Sequence, residues 1–209
     1  MAIDCFIFVY LQKYTPKIYF FILKYISMLT LKRSLTEEME DKLNKQIKME
    51  GLSSFYYLAM ASWCETHGYL NASQYLYDHA DEERMHMMKI IKYVNEAGGY
   101  ALAPEIKNLR YKYNSLKEVF TTILEHELAV TTAINNLMDA CYSSKDFATM
   151  SFLQWYVNEQ REEEAVSRRI LEFFDLIGEE GQGLWLIDQE IGKLSAQMKQ
   201  AAAAKEKAA

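Results

Sequence analysis

The chain has 209 residues, enough for one sizeable domain, and half of them are hydrophobic, so a real core can form. With 29 acidic against 23 basic residues its formal net charge is −6, which argues against non-specific binding to nucleic acid and suits a protein that attracts cations. The three cysteines, Cys5, Cys64 and Cys141, include no C-x-x-C pair, which excludes a disulfide framework and a zinc ribbon and points to a reducing cytoplasm.

Two prolines and eight glycines, set against long runs of Glu, Lys, Leu, Met, Gln and Ala, favour an all-α chain. Residues 1–27 are aromatic and apolar but broken by Lys13, Pro16, Lys17 and Lys24, too interrupted to span a bilayer. Asp4 stands where a signal peptide carries basic residues, and no small-residue cleavage site follows. The segment reads as an extension outside the fold, with Met28 as an alternative start; contact with a membrane surface is the competing reading.

Ser34 or Thr36, followed by Glu37 and Glu38, caps a first helix over 36–66 that ends before Gly68. Its inward stripe is Met39, Leu43, Ile47, Glu50, Ser54, Tyr57, Ala61. A second helix over 70–97 begins within a few residues and so packs antiparallel, with the stripe Ala72, Leu76, Ala80, Glu83, Met87, Ile90, Val94. Gly98 and Gly99 close it. The segment 98–114, containing Pro104, can extend to roughly 55 Å, enough to travel the length of a bundle, which makes the second and third helices parallel. The third, over 115–142, has the stripe Leu116, Phe120, Ile123, Glu127, Val130, Ile134, Leu137, Cys141. A break at Ser143 and Ser144 returns the chain antiparallel into a fourth helix over 146–176. Its stripe is Met150, Leu153, Val157, Gln160, Glu163 or Glu164, Ser167, Leu171, Phe174. Gly178 to Gly183 then isolates a short apolar helix, Leu184 to Leu194, whose Leu184, Trp185 and Ile187 are expected to pack against other subunits. The Ala- and Lys-rich residues 196–209 read as a solvated tail.

The four stripes share one anomaly. Glu50, Glu83, Glu127 and Gln160 hold positions where apolar residues belong, each about 12 to 14 residues into its helix and therefore roughly 20 Å along it. Helices of similar length bring such side chains to one level. His86 lies three residues after Glu83 on the same face, and Gln160 with Glu163 repeats that spacing. No Lys or Arg occupies any stripe to balance the carboxylates, and burying an unpaired carboxylate costs several kcal/mol. A bound dication resolves the conflict. Many oxygens with one imidazole suit iron, manganese or zinc better than copper. Tyr57, two turns after Glu50, packs as core or hydrogen-bonds a ligand.

The strings LNKQIKMEGLSSFYYLAMASWC, HADEERMHMMKI, LEHEL, FLQWYVNEQREEEAV and GQGLWLIDQE resemble, in order and spacing, the bacterial non-haem ferritins over about Leu35 to Gly192. The Glu-x-x-His motif with one long crossover is the general pattern of ferritin-like di-iron bundles. The resemblance implies a four-helix bundle with a short fifth helix, placed here over residues 28–195. It implies that Glu50, Glu83 and His86 hold one iron and that Glu83, Glu127 and Glu163 hold a second. Gln160 and Tyr57 then stand beside the centre as catalytic residues, and a third iron maps to Glu82, Glu159, Glu162 and Glu163. The implied activity is oxidation of Fe(II) by dioxygen or hydrogen peroxide, with storage of ferric oxyhydroxide inside a cytoplasmic shell of 24 identical subunits whose last helix lies at the four-fold axes. No nucleic-acid or membrane partner is expected. Gln160-x-x-Glu163 stands where bacterioferritins and rubrerythrins carry a second Glu-x-x-His, which weakens the second seat and fits turnover into storage. Arg84 follows Glu83 where bacterioferritin has its haem methionine, so no haem is expected. A di-iron oxygenase or peroxidase with a substrate pocket beside the metals, and a structural bundle binding zinc or nothing, are the rival readings.

Overall fold

A computed structural model of the chain describes residues 33–208 together with Phe21 and Lys24, so the extension expected over 1–27 lies, those two apart, outside the described residues. Residues 33–208 form five helices and no strand: α1 Glu37–Thr66, α2 Leu70–Glu96, α3 Leu116–Ser144, α4 Phe147–Ile177 and α5 Gly183–Ala208. The all-α reading and the four long helices hold to within a residue or two. Thr36, rather than Ser34, caps α1: its Oγ1 accepts from the Met39 amide at 3.2 Å, while Ser34 Oγ donates to Ala97 O. Ser115 and Asp146 cap α3 and α4 in the same way, accepting from Glu118 N at 3.1 Å and Thr149 N at 3.0 Å. No helix among the described residues is long and apolar enough to cross a membrane.

The crossover between α2 and α3 runs along α1. Near its start Asn44 Nδ2 donates to Tyr100 O and Asn44 Oδ1 accepts from Leu102 N; at its middle Pro104 sits on Gly51; at its end the Tyr113 ring meets Trp63. The chain thus returns to the end of the bundle where α2 began, and α2 and α3 run parallel. Pro104 approaches so closely that a Cβ on Gly51 would stand 2.6 Å from its Cγ and 3.1 Å from Met87 Sδ. A Gly51→Ala variant gains about 0.5–1 kcal/mol of helix propensity but meets a rigid ring, an overpacking worth about 1–3 kcal/mol. Chemical denaturation is therefore expected to show a net loss of about 1 kcal/mol; equal or greater stability would mean that the crossover is not pinned there.

The core falls into two apolar halves. One half holds Leu43, Ile47, Ile90, Val94, Val130, Ile134 and Leu153, near the start of α1 and the end of α2. The other holds Met60, Ala61, Leu76, Leu116, Phe120, Ile170 and Phe174, near the opposite end. Between them in sequence every long helix carries buried polar residues, which is where the site lies. In α4 the buried line runs Leu153, Tyr156, Gln160, Glu163, Ser167, Ile170, Phe173. Val157 and Leu171, expected on that stripe, are only half-buried, and Tyr156, Ile170 and Phe173 take the inward places.

The fifth helix differs from expectation in length and in partner. It continues as helix through the alanine-rich segment to Ala208, and residues 199–204 are exposed along it. Ile187, expected at a subunit contact, is fully buried within its own chain together with Ile191, packed with residues of α2 and α4. Trp185 and Leu186 remain exposed.

Candidate metal centre

Each long helix delivers a buried polar side chain to the layer between the two apolar halves: Glu50 from α1, Glu83 and His86 from α2, Glu127 from α3, Gln160 and Glu163 from α4. None is more than 8% exposed. Three of them converge. His86 Nδ1 lies 3.6 Å from Glu83 Oε2 and 3.9 Å from Glu50 Oε2, and the ligand atoms of the three residues lie within 4.8 Å of one another. Glu50 Oε2 and His86 Nδ1 are buried without a hydrogen-bond partner, atoms that a cation would satisfy. The other Glu50 oxygen accepts from Gln46 Nε2 at 2.5 Å. The His86 ring is bracketed by Trp155 and Tyr156, with centroids at 5.2 and 5.5 Å.

Glu83, Glu127 and Glu163 do not close into one such set. Tyr57 O–H donates to Glu127 Oε1 at 2.5 Å, and Gln160 Nε2 donates to Glu127 Oε2 at 3.1 Å and to its carbonyl at 3.2 Å. Glu163 Oε2 faces His79 Nε2 at 3.4 Å. Glu164, the alternative to Glu163 in the stripe, accepts from Thr131 Oγ1 at 2.6 Å and pairs with Arg168 near the surface. Of the third-site residues, Glu82 and Glu159 group with His86, and Glu82 and Glu163 group with His79; Glu162 is exposed and joins neither group.

Burial, with Glu83 beside it, pushes the Glu50 carboxyl well above the ordinary range; burial, then Glu127 and Glu163, do the same to Glu83. Glu127 is raised by burial and by Glu163. Burial opposes ionisation of Glu163 and of His79, yet their pairing wins for both, lowering Glu163 and lifting His79 to about 9. Burial and neighbouring carboxylates also raise Tyr57 and Tyr156, so both phenols stay protonated at neutral pH. Lysine and arginine are what this layer lacks: the ion-pair partners of Glu50, Glu83 and Glu163 among the described residues are the imidazoles of His86 and His79.

Three buried residues of the layer escaped the sequence reading. His79 lies one turn before Glu83 on the same face of α2, a signal that i, i+4 spacing carries. Gln46 bears the same relation to Glu50. Tyr156 was hidden by the one-residue misreading of the α4 stripe.

A family model described as ferritin-like domain matches residues 40–177. The chain is 42% identical over 161 residues to a probable bacterial non-heme ferritin-like protein of Haemophilus influenzae, covering 77% of this chain and 98% of that one. It is 41% identical over 161 residues to the bacterial non-heme ferritin of Campylobacter jejuni, covering 77% and 96%. The chain belongs to the bacterial non-haem ferritins. Among solved structures, an open pore ferritin from the archaeon Archaeoglobus fulgidus superposes with a TM-score of 0.74 at 38% identity, covering 76% of this chain and 97% of that one. The ferritin pattern thus spans the bundle, and Glu50, Glu83, His86, Glu127 and Glu163 all lie within the 40–177 match.

Proposed function

We propose that this ferritin oxidises Fe(II) at the buried carboxylate layer and stores the ferric product inside a shell built of many copies of the chain, 24 by family resemblance. The observation that carries the reading is the set Glu50, Glu83 and His86: three buried donors within 4.8 Å of one another, two of them bearing unpartnered atoms. Two carboxylates and an imidazole suit Fe(II), a borderline cation. In this reading Glu50, Glu83 and His86 receive the first iron, and Glu83, Glu127 and Glu163 the second. Glu127 and Glu163 are already engaged by Tyr57, Gln160 and His79, so the second seat must draw them from those partners and binds more weakly than the first. Each Fe(II) gives an electron to dioxygen or hydrogen peroxide. Fe(III) then acidifies its bound water, releasing protons and driving oxyhydroxide formation. Before iron enters, Tyr57 keeps Glu127 aimed by its hydrogen bond, and the neutral Gln160 amide holds it from the other side without adding charge. Residues 28–195 form the iron-handling unit in this reading, with 1–27 an extension that assembly does not require.

A cavity of about 340 Å³ reaches Tyr57 between α1 and α3, lined by Tyr56, Met60, Ile123 and His126, and it is what favours the oxygenase reading. Iron loading separates the two. Aerobic addition of Fe(II) to the full chain, followed by size-exclusion chromatography with iron analysis, is expected to give a large assembly holding far more iron per subunit than its ligands can coordinate. A monomer or dimer holding only two or three irons per subunit would overturn storage and leave the oxygenase reading.

A further inference from the structure

We infer that the cavity between α1 and α3 is a regulatory site for a small neutral aromatic ligand carrying one hydrogen-bond donor, an indole-type ring. The inference rests on the iron-handling reading above and adds a point of control to it. The cavity measures about 340 Å³, where about 150 Å³ is enough to hold benzene, so two fused rings have room. Its walls are the rings of Tyr56, Tyr57 and Tyr113 together with Met60 and Ile123, which suits an aromatic face. Charge at its mouth favours a neutral guest. Glu125 is exposed at the rim and repels anions, while the Arg110 guanidinium there pairs with Glu118 and lies over the Tyr113 ring at 4.5 Å.

His126 supplies the specificity. Ser53 Oγ spends its one proton on Met49 O at 3.0 Å, so in its 2.6 Å contact with His126 the ring's Nε2–H is the donor. Nδ1 is then an acceptor on the cavity wall, with no partner among the described residues. The Tyr56 ring, edge-on to the imidazole at 5.9 Å, steadies it. Tyr57 links the cavity to the iron layer. Its ring forms one wall, and its O–H donates to Glu127 Oε1 at 2.5 Å, a bond given up when Glu127 turns to the second iron seat. A guest packed beside that ring takes the free volume into which it would move, holds the phenol on Glu127 and so slows loading of the second seat.

Indole and 1-methylindole, which share their rings but not the N–H, test this by calorimetric titration of the iron-free, assembled full chain. Indole is expected to bind saturably and roughly 10-fold more tightly than 1-methylindole, the worth of one hydrogen bond. Crystals soaked in indole should place its nitrogen about 3 Å from His126 Nδ1. At saturating indole, stopped-flow Fe(II) oxidation should slow severalfold. Ala129→Leu, which fills the cavity from its exposed rim, should abolish both the binding and the slowing. Equal affinity for the two ligands, or indole bound at crystal concentration only, would overturn the site. Binding without slowing would overturn its regulatory role, and oxidised indole among the products would make the cavity a substrate pocket instead. A native protein that oxidises no Fe(II) even without indole would overturn the iron-handling reading, on which the titration of iron-free protein does not depend. The native protein with the two ligands answers even if the variant fails to fold.

Discussion

Fast Fe(II) oxidation is expected to fall at least ~100-fold in a Glu83→Gln variant, because even residues that only orient metal ligands cost 10–100-fold. Glu83 is the one carboxylate common to both proposed iron seats. It stands 3.6 Å from His86 Nδ1 within the Glu50 set, and its charge is felt by Glu50, Tyr57 and Tyr156. Gln keeps the shape and removes the shared negative charge. The metal-free protein should respond in the opposite direction. Burial and two neighbouring carboxylates raise the folded-state pKa of Glu83, so its favourable contribution is present below the unfolded value and is lost as pH rises through the folded one. Near neutral pH the variant should therefore melt a few degrees higher than the native apo protein, and the difference should shrink toward acid. Stopped-flow oxidation and apo melting curves at several pH values test both halves. Near-native oxidation would remove Glu83 from the centre; a lower melting temperature at neutral pH would make it a structural residue.

The pair of opposing effects is what the sequence made legible: a carboxylate in an apolar stripe is recognisable because it breaks the helical period. Glu50, Glu83 and Glu127 stand out in that way, and helix ends were readable from the pair Ser34 and Thr36, from Gly68 and from Gly178; the Ser115 cap came from the structure. Partners that hold the ligands were harder to see. His79 and Tyr156 look like ordinary core residues in a string, and only the packing shows that one faces Glu163 and the other brackets His86. The α4 register slipped by one because Tyr156 and Val157 are both plausible inward residues, and the periodic pattern alone does not choose between them. The fifth helix was misjudged for a related reason. Its apolar residues showed that it packs against something, but periodicity within one helix carries no information on whether the partner is the same chain or another.

That fifth helix is expected to depend on Asp188, and an Asp188→Ala variant should lose about 3 kcal/mol of apo stability. The N-terminus of α2 has no side-chain cap of its own at Tyr69. Asp188, 5% exposed on α5, supplies the missing acceptor from across the fold. Its Oδ1 accepts from Ala72 N at 2.9 Å, and its Oδ2 accepts from Asn71 Nδ2 at 2.8 Å and Asn71 N at 3.3 Å. One turn later Gly192 allows the close approach, since a Cβ there would stand 2.6 Å from Asn71 Oδ1. Hydrogen bonds to a charged acceptor are worth about 1.5–3 kcal/mol each, and the negative charge also complements the positive end of the α2 dipole. Alanine leaves buried amides without a partner and takes away the polar anchor of α5, while Ile187 and Ile191 keep their apolar contacts. Asp188→Asn retains the shape and one acceptor oxygen, so it should recover roughly half of the loss. Limited proteolysis supplies an independent readout, because the exposed segment 179–182 is the hinge about which α5 would lift. Cleavage there should accelerate in Asp188→Ala before the four-helix core melts. Native-like melting together with unchanged cleavage would show that Ile187 and Ile191 alone hold α5, and that the cap on α2 contributes nothing to its docking.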